Sequence, residues 1–171
     1  MRHKFLAAAL FSAVFSIYSA SAAAISFQII QHDPAQDKIR SASFVMETVL
    51  FDSFFDSGHI ATNIPTAVSA GEAEDEDIFF NSLADAKEGK CAYLVMITLD
   101  YKANASGNPD AVLLSNIQSA SWVIYDTAAE KVLAKGGKEV GTVPDRSNNA
   151  GGVKDFAKKL TADINSALRK K

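Results

Sequence analysis

The 171 residues hold 48% hydrophobic and 22% charged residues with a net charge of −3, a balance that fits one globular domain and argues against nucleic acid or anionic lipid as partner. A single cysteine, Cys91, excludes an internal disulfide and any C-x-x-C metal or redox motif, so the fold has to rest on its apolar core.

The chain opens with Arg2 and Lys4, then an uncharged apolar stretch of 14 residues from Phe5 to Tyr18, then small residues with two A-x-A patterns, Ala20-Ser21-Ala22 and Ala22-Ala23-Ala24. This order is that of a secretory signal peptide over residues 1–24, removed in the mature protein. The apolar core is shorter than the roughly 20 residues a spanning helix needs. No cysteine stands at the cut site to receive lipid. The expected location is the bacterial periplasm or outside the cell, with no stable membrane insertion after cleavage. Loss of Arg2 and Lys4 leaves 15 basic against 20 acidic residues, a net of −5. Residues 25–171 then form one domain, long enough to build a core unaided.

"ISFQII", from Ile25 to Ile30, reads as a first strand that Pro34 forbids from continuing. A helical pattern follows from Asp37: Ile39, Ala42, Val45, Met46 and Val49 keep the i, i+3, i+4 spacing. Phe44, Leu50, Phe51, Phe54 and Phe55 widen that stripe until the helix is apolar on most sides, as in a helix buried between layers. Gly58 stands where a left-handed C-cap belongs. "HIATNI" is a short strand ended by Pro65.

Next comes "SAGEAEDED", Ser69 to Asp77, with carboxylates at Glu72, Glu74, Asp75, Glu76 and Asp77. Acids in a first helical turn face the positive end of the helix dipole, and Ser69 with Glu72 has capping-box spacing. A calcium loop would alternate its ligands around a central glycine, whereas these acids are adjacent and Gly71 precedes them. The segment therefore reads as a helix start with solvated acids, leaving contact with a basic partner or weak calcium binding as alternatives. Behind it Ile78, Phe79, Leu83 and Ala86 suit a second helix that Gly89 ends.

"CAYLVMITLDYKA" is a strand apolar on both faces, with Tyr93, Val95, Ile97, Leu99 and Tyr101 on one, so it belongs inside a sheet. Cys91 opens this run and reads as a small buried hydrophobe. "NASGNPDA" is a loop. "LLSNIQSASWVIYDT" reads as a long strand and "AEKVLAKGGKEVG" as its hairpin partner, with Asp126 to Glu130 turning between them. Residues 141–152 are polar and glycine-rich and read as a mobile loop. Val153, Phe156, Ala157, Leu160, Ile164, Ala167 and Leu168 share one face of a last helix, whose basic end at Arg169 to Lys171 suits its dipole. The order is β-α-β-α-β-β-β-α, an α+β (mixed α/β) single domain with a mixed sheet of about five strands and three helices on one face.

Nothing in this pattern carries a known reaction. His32 and His59 lack a zinc spacing, Cys91 with His59 could pair only if the buried strand exposed the thiol, and no nucleophile elbow or phosphate loop is present. No catalytic residue, cofactor or metal is expected. Trp122 and Tyr125 could mark a contact surface, since aromatics concentrate at binding hot spots, or belong to the core.

Three stretches carry a family likeness. "FFDSGHIAT" resembles the helix-to-strand step of a group of bacterial envelope domains. "LADAKEGKCAYLVMITLDY" is similar to their next helix and strand, and "SASWVIYDTAAEKVLAKG" to their hairpin with an Asp-Thr turn. The group comprises the curli-secretion lipoprotein, the outer-membrane lipoprotein activators of penicillin-binding proteins, and the amino-terminal domain of TolB. The chain departs from it in lacking a lipid-bearing cysteine and in carrying Asp100-Tyr101 where a glycine is common. The resemblance implies a non-enzymatic periplasmic accessory or protein-binding domain of a cell-envelope system, with Glu72, Glu74, Asp75, Glu76, Asp77, Trp122 and Tyr125 as candidate contacts to a protein partner. The alternative is a small-ligand or cation (calcium) binder using the acidic segment, and a more remote one is a hydrolase built on scattered Ser, Asp and His residues.

Overall fold

The computed structural model describes residues 22–170, so the signal peptide read from residues 1–24 lies, up to residue 21, outside the described residues. The elements run β1 (Ala24–His32), α1 (Ser41–Asp56), β2 (Ile60–Val68), α2 (Glu72–Glu88), β3 (Tyr93–Tyr101), β4 (Ile117–Asp126), β5 (Lys131–Glu139) and α3 (Ala150–Leu168), in the expected order. They form one domain around a five-stranded mixed sheet ordered β2-β1-β3-β4-β5. β1 pairs in parallel with β2 and β3, and β4 and β5 continue the sheet antiparallel.

The helices do not share one face, which corrects the sequence expectation. Alternate residues of β3 sort the core in two. Val95, Ile97 and Leu99 join Met46, Leu50 and Phe54 of α1 and Phe156, Leu160 and Ile164 of α3. Leu94 and Met96 face the other way and pack with Leu83 and Ala86 of α2. The reason is chirality. The β1-α1-β2 crossover moves one way along the sheet and β2-α2-β3 moves back across β1, so two right-handed crossovers place their helices on opposite faces. β3 is thus covered on both sides, as its double apolar pattern requires.

Helix α1 starts at Ser41, not Asp37, because Arg40 is held in an extended conformation (φ −80°, ψ 144°) with its N–H donated to Gln31 Oε1. It ends as expected, with Gly58 in the left-handed region at φ 84°. Nor is α1 buried on all sides. Phe44, Phe51 and Phe55 are 50%, 38% and 68% exposed, because among the described residues the sheet and α3 lie against the helix and no further layer covers its outer face. At the end of α2 the left-handed residue is Lys90 (φ 53°), while Gly89 stays helical. Pro65 does not end β2. The strand is at the sheet edge, its register with β1 slips there, and a missing N–H is tolerated at such a position.

A 3-10 turn at Leu114–Asn116 precedes β4, so that strand is shorter than its apolar run. At the other boundary Gly151 and Gly152 belong to the first turn of α3, not to a mobile loop. Asn149 caps the helix, its Oδ1 accepting from both glycine N–H groups. A Cβ on Gly152 would lie 1.8 Å from the carbonyl oxygen of Ser147. Gly152→Ala is therefore expected to push the turn at Asp145–Ser147 off the helix and destabilise the fold by roughly 1–3 kcal/mol, read as a lower urea midpoint.

Candidate functional site

Three polar side chains converge where the parallel strands end. His32 closes β1, Asp100 stands beside it near the end of β3 in register, and Asp75 reaches in from the first turn of α2. His32 Nδ1 lies 3.0 Å from Asp100 Oδ1, and His32 Nε2 lies 2.9 Å from Asp75 Oδ1. Ser119 of β4 donates its hydroxyl to the other Asp100 oxygen at 2.6 Å. A cleft of about 330 Å³, lined by His32, Asp33, Pro34, Ser69, Ala70 and Gly71, opens beside the ring. The cleft lies beyond the C-terminal ends of β1 and β2, where open α/β sheets form their crevices.

The hydrogen-bond inventory fixes what the histidine can do. Neutral imidazole has one N–H, whereas both ring nitrogens here face carboxylate oxygens, so the arrangement is satisfied by the imidazolium. Burial of the ring disfavours that charge, but hydrogen bonds and charge from Asp75 and Asp100 outweigh it, and the His32 pKa is raised above its ordinary 6.5. While the ring is protonated it has no lone pair for a general base. Ser119 donates to Asp100 and not to the ring, so it is not an activated nucleophile either.

Behind this cluster lies a second, fully buried one. Arg40 pairs with Asp33 at 2.5 Å, both side chains being inaccessible to solvent. Arg40 also donates to the Ser106 carbonyl at 2.8 Å and lies over the Tyr101 ring, 5.0 Å from its centroid. Tyr101 shares a hydrogen bond with Ser43, which donates to Gln31. Burial pushes the Tyr101 phenol up to about 12, against the opposing pull of Ser43 and Arg40. This network ties the loop after β1, which lines the cleft, to the loop after β3.

The expected contact residues are dispersed by the fold. Glu72, Glu74, Asp75, Glu76 and Asp77 do start a helix, but Gly71 is the N-cap rather than Ser69, and Glu74 Oε2 accepts from the Ala70 N–H at 2.8 Å. Two of the five carboxylates are therefore spent on protein groups, Glu74 on that N–H and Asp75 on His32. Among the described residues no group of three or more His, Cys, Asp or Glu side chains is placed to hold a metal ion. Trp122 is buried among the residues between the sheet and α3, its ring over Gly136, where a Cβ would come within 2.6 Å. Tyr125 lies on the other face of the sheet, edge-on to Phe79 at 5.3 Å. Cys91 is buried, with Thr62 and the Gly89 carbonyl near its sulfur rather than His59. Sequence alone gives no functional signal for Asp33, Arg40 or Ser119. The one signal is a polar residue near the end of each of two apolar strands, His32 and Asp100, which gains meaning only once the strands are known to be parallel neighbours.

A second surface is formed by α1 and the edge strand β2. Phe44, Thr48, Phe51 and Phe55 follow one helical stripe, and Ile60 is exposed at the start of β2. Glu47 ties the two elements by accepting from Asn63 and Thr66. Thr48, Phe51, Asp52 and Asn63 line a shallow groove of about 240 Å³ there. No lysine or arginine occurs from Ser41 to Ile60, while Asp52 and Asp56 stand exposed beside the aromatics. Among the described residues no helix is long and apolar enough to cross a membrane.

A family model described as "Uncharacterised protein" matches residues 24–169. No curated protein matches the chain. Among solved structures, the PelC dodecamer from Paraburkholderia phytofirmans is similar at 12% identity and a TM-score of 0.47, covering 86% of this chain and 87% of that one. Lipoprotein GNA1162 from Neisseria meningitidis is similar at 11% identity and 0.45, covering 83% and 96%. TolB from Acinetobacter baumannii is similar at 14% and 0.41, over 87% of this chain and 30% of its own. At these values none of them lends a role to a residue of this chain.

Proposed function

We propose that this chain, which belongs to the uncharacterised family matched over residues 24–169, is a non-enzymatic binding domain of the bacterial cell envelope that docks a protein partner on the outer face of α1. The exposed aromatic stripe Phe44, Phe51 and Phe55 carries this reading. Three phenylalanines on one solvent-facing stripe, rimmed by polar groups, are what a docking surface offers and what a free surface avoids. The adjoining edge of β2 adds backbone groups open to pairing. The segment that carries the stripe has carboxylates at Asp52 and Asp56 and no lysine or arginine, so the matching partner segment is apolar with flanking lysine or arginine. The signal-peptide pattern at residues 1–24 supports the envelope setting. The engaged state of both His32 nitrogens supports a binding rather than a catalytic role.

The test is photo-crosslinking in the envelope from a reactive group placed at Phe51, with the captured segment mapped by mass spectrometry. The expected adduct is one protein segment, apolar and flanked by basic residues, lost when Phe44 and Phe55 are changed to serine. Truncating a central aromatic anchor is expected to weaken the complex by about tenfold or more. An equal yield of the same adduct from a group placed at Lys159 on α3 would sink the proposal. An adduct between two copies would replace the partner with the chain itself.

A further inference from the structure

The His32 cluster joins three elements through one ring: β1 carries the histidine, β3 carries Asp100 and α2 carries Asp75. Its two arms differ. Asp100 sits in a paired strand and is further held by Ser119 of β4. Asp75 belongs to the first turn of a helix that is tied to β1 on its entry side by the Ser69 N–H donated to the Gln31 carbonyl, while Ala70, Glu72, Glu74 and Glu76 around it are exposed. If the bridge fails, Asp75 is the arm that lets go.

We propose that His32 is a proton-operated latch that holds the acidic first turn of α2 across the C-terminal ends of β1 and β3, and that loss of the ring proton releases residues 69–77 and widens the cleft beside His32. The chemistry follows from donor counting. With two N–H groups the ring satisfies both carboxylates. With one it leaves a lone pair facing a carboxylate oxygen, and the contact becomes repulsive. The titratable groups bonded to the ring are Asp75 from α2 and Asp100 from β3. Asp33, next along the chain, is turned to Arg40, and Glu74 is turned to the Ala70 N–H. The sign follows from the raised pKa: the latch is fully closed below the unfolded histidine value of about 6.5 and opens as pH rises through the higher folded value.

Hydrogen exchange of the full mature chain, read by mass spectrometry over residues 69–77 and corrected for the intrinsic rate, tests this. Protection is expected to fall severalfold between pH 5.5 and 8.5, as the ring gives up its proton. In Asp75→Asn the fall should be less than half of that on a logarithmic scale. A flat wild-type profile, or an Asp75→Asn fall of half or more, would overturn the latch. A second reading on the unmodified protein guards against a variant that folds poorly: the His32 ring resonance should titrate above 6.5, and titration at or below 6.5 overturns the proposal as well.

Discussion

Replacing Arg40 with alanine is expected to lower the unfolding free energy by about 3–5 kcal/mol, the usual cost of leaving one member of a buried ion pair alone. The guanidinium is inaccessible to solvent, and Asp33 beside it is equally buried, so truncation leaves a carboxylate with neither water nor counter-charge. The same change removes the hydrogen bond to Ser106 and the stacking on Tyr101, which anchor the loop after β3. Arg40→Lys should fall between alanine and wild type, since it keeps the charge but not the planar fork. The double variant Asp33→Asn with Arg40→Met should cost less than the sum of the two single changes, because nothing charged is then left buried. Urea midpoints at constant m for wild type, Arg40→Ala, Arg40→Lys, Asp33→Asn, Arg40→Met and the double variant measure all of this. Equal and additive losses would show that the two side chains act independently.

The second large effect is a contrast between neighbours on α1. Phe54→Ala is expected to cost about 3–5 kcal/mol and Phe55→Ala less than about 0.5 kcal/mol. Phe54 is fully buried, edge-on to Phe27 of β1 at 5.5 Å, and its loss leaves a cavity between helix and sheet. Phe55 is 68% exposed and packs on nothing that its removal would unsettle. Thermal melts of the two variants separate them. If Phe55→Ala proved as costly as Phe54→Ala, the outer face of α1 would be part of the core and unavailable for a partner. If only Phe54→Ala unfolds the domain while Phe55→Ser loses the crosslinked partner, stability and docking reside on opposite faces of one helix.

That contrast also marks where reading the sequence stopped. The apolar spacing of α1 was legible, but Phe54 and Phe55 look alike in a chain, and the stripe appeared apolar on most sides. Which phenylalanines turn inward depends on what packs against the helix, and among the described residues that is the sheet and α3. The same holds for the candidate site. His32 reads as a loop histidine before a proline, and Asp100 as the last polar residue of a strand. Their meeting depends on β1 and β3 being parallel neighbours, a pairing between residues 68 positions apart.

The element order, the central place of β3, the left-handed turn at Gly58 and the amphipathic face of α3 are legible along the chain, because each is written in local periodicity or in the conformational range of one residue. The strand order, the split of the helices over two faces, the His32 bridge and the buried Asp33–Arg40 pair were decided only in the tertiary structure. Each depends on contacts between segments distant in the chain, set by crossover handedness and by the need of buried charges to find one another.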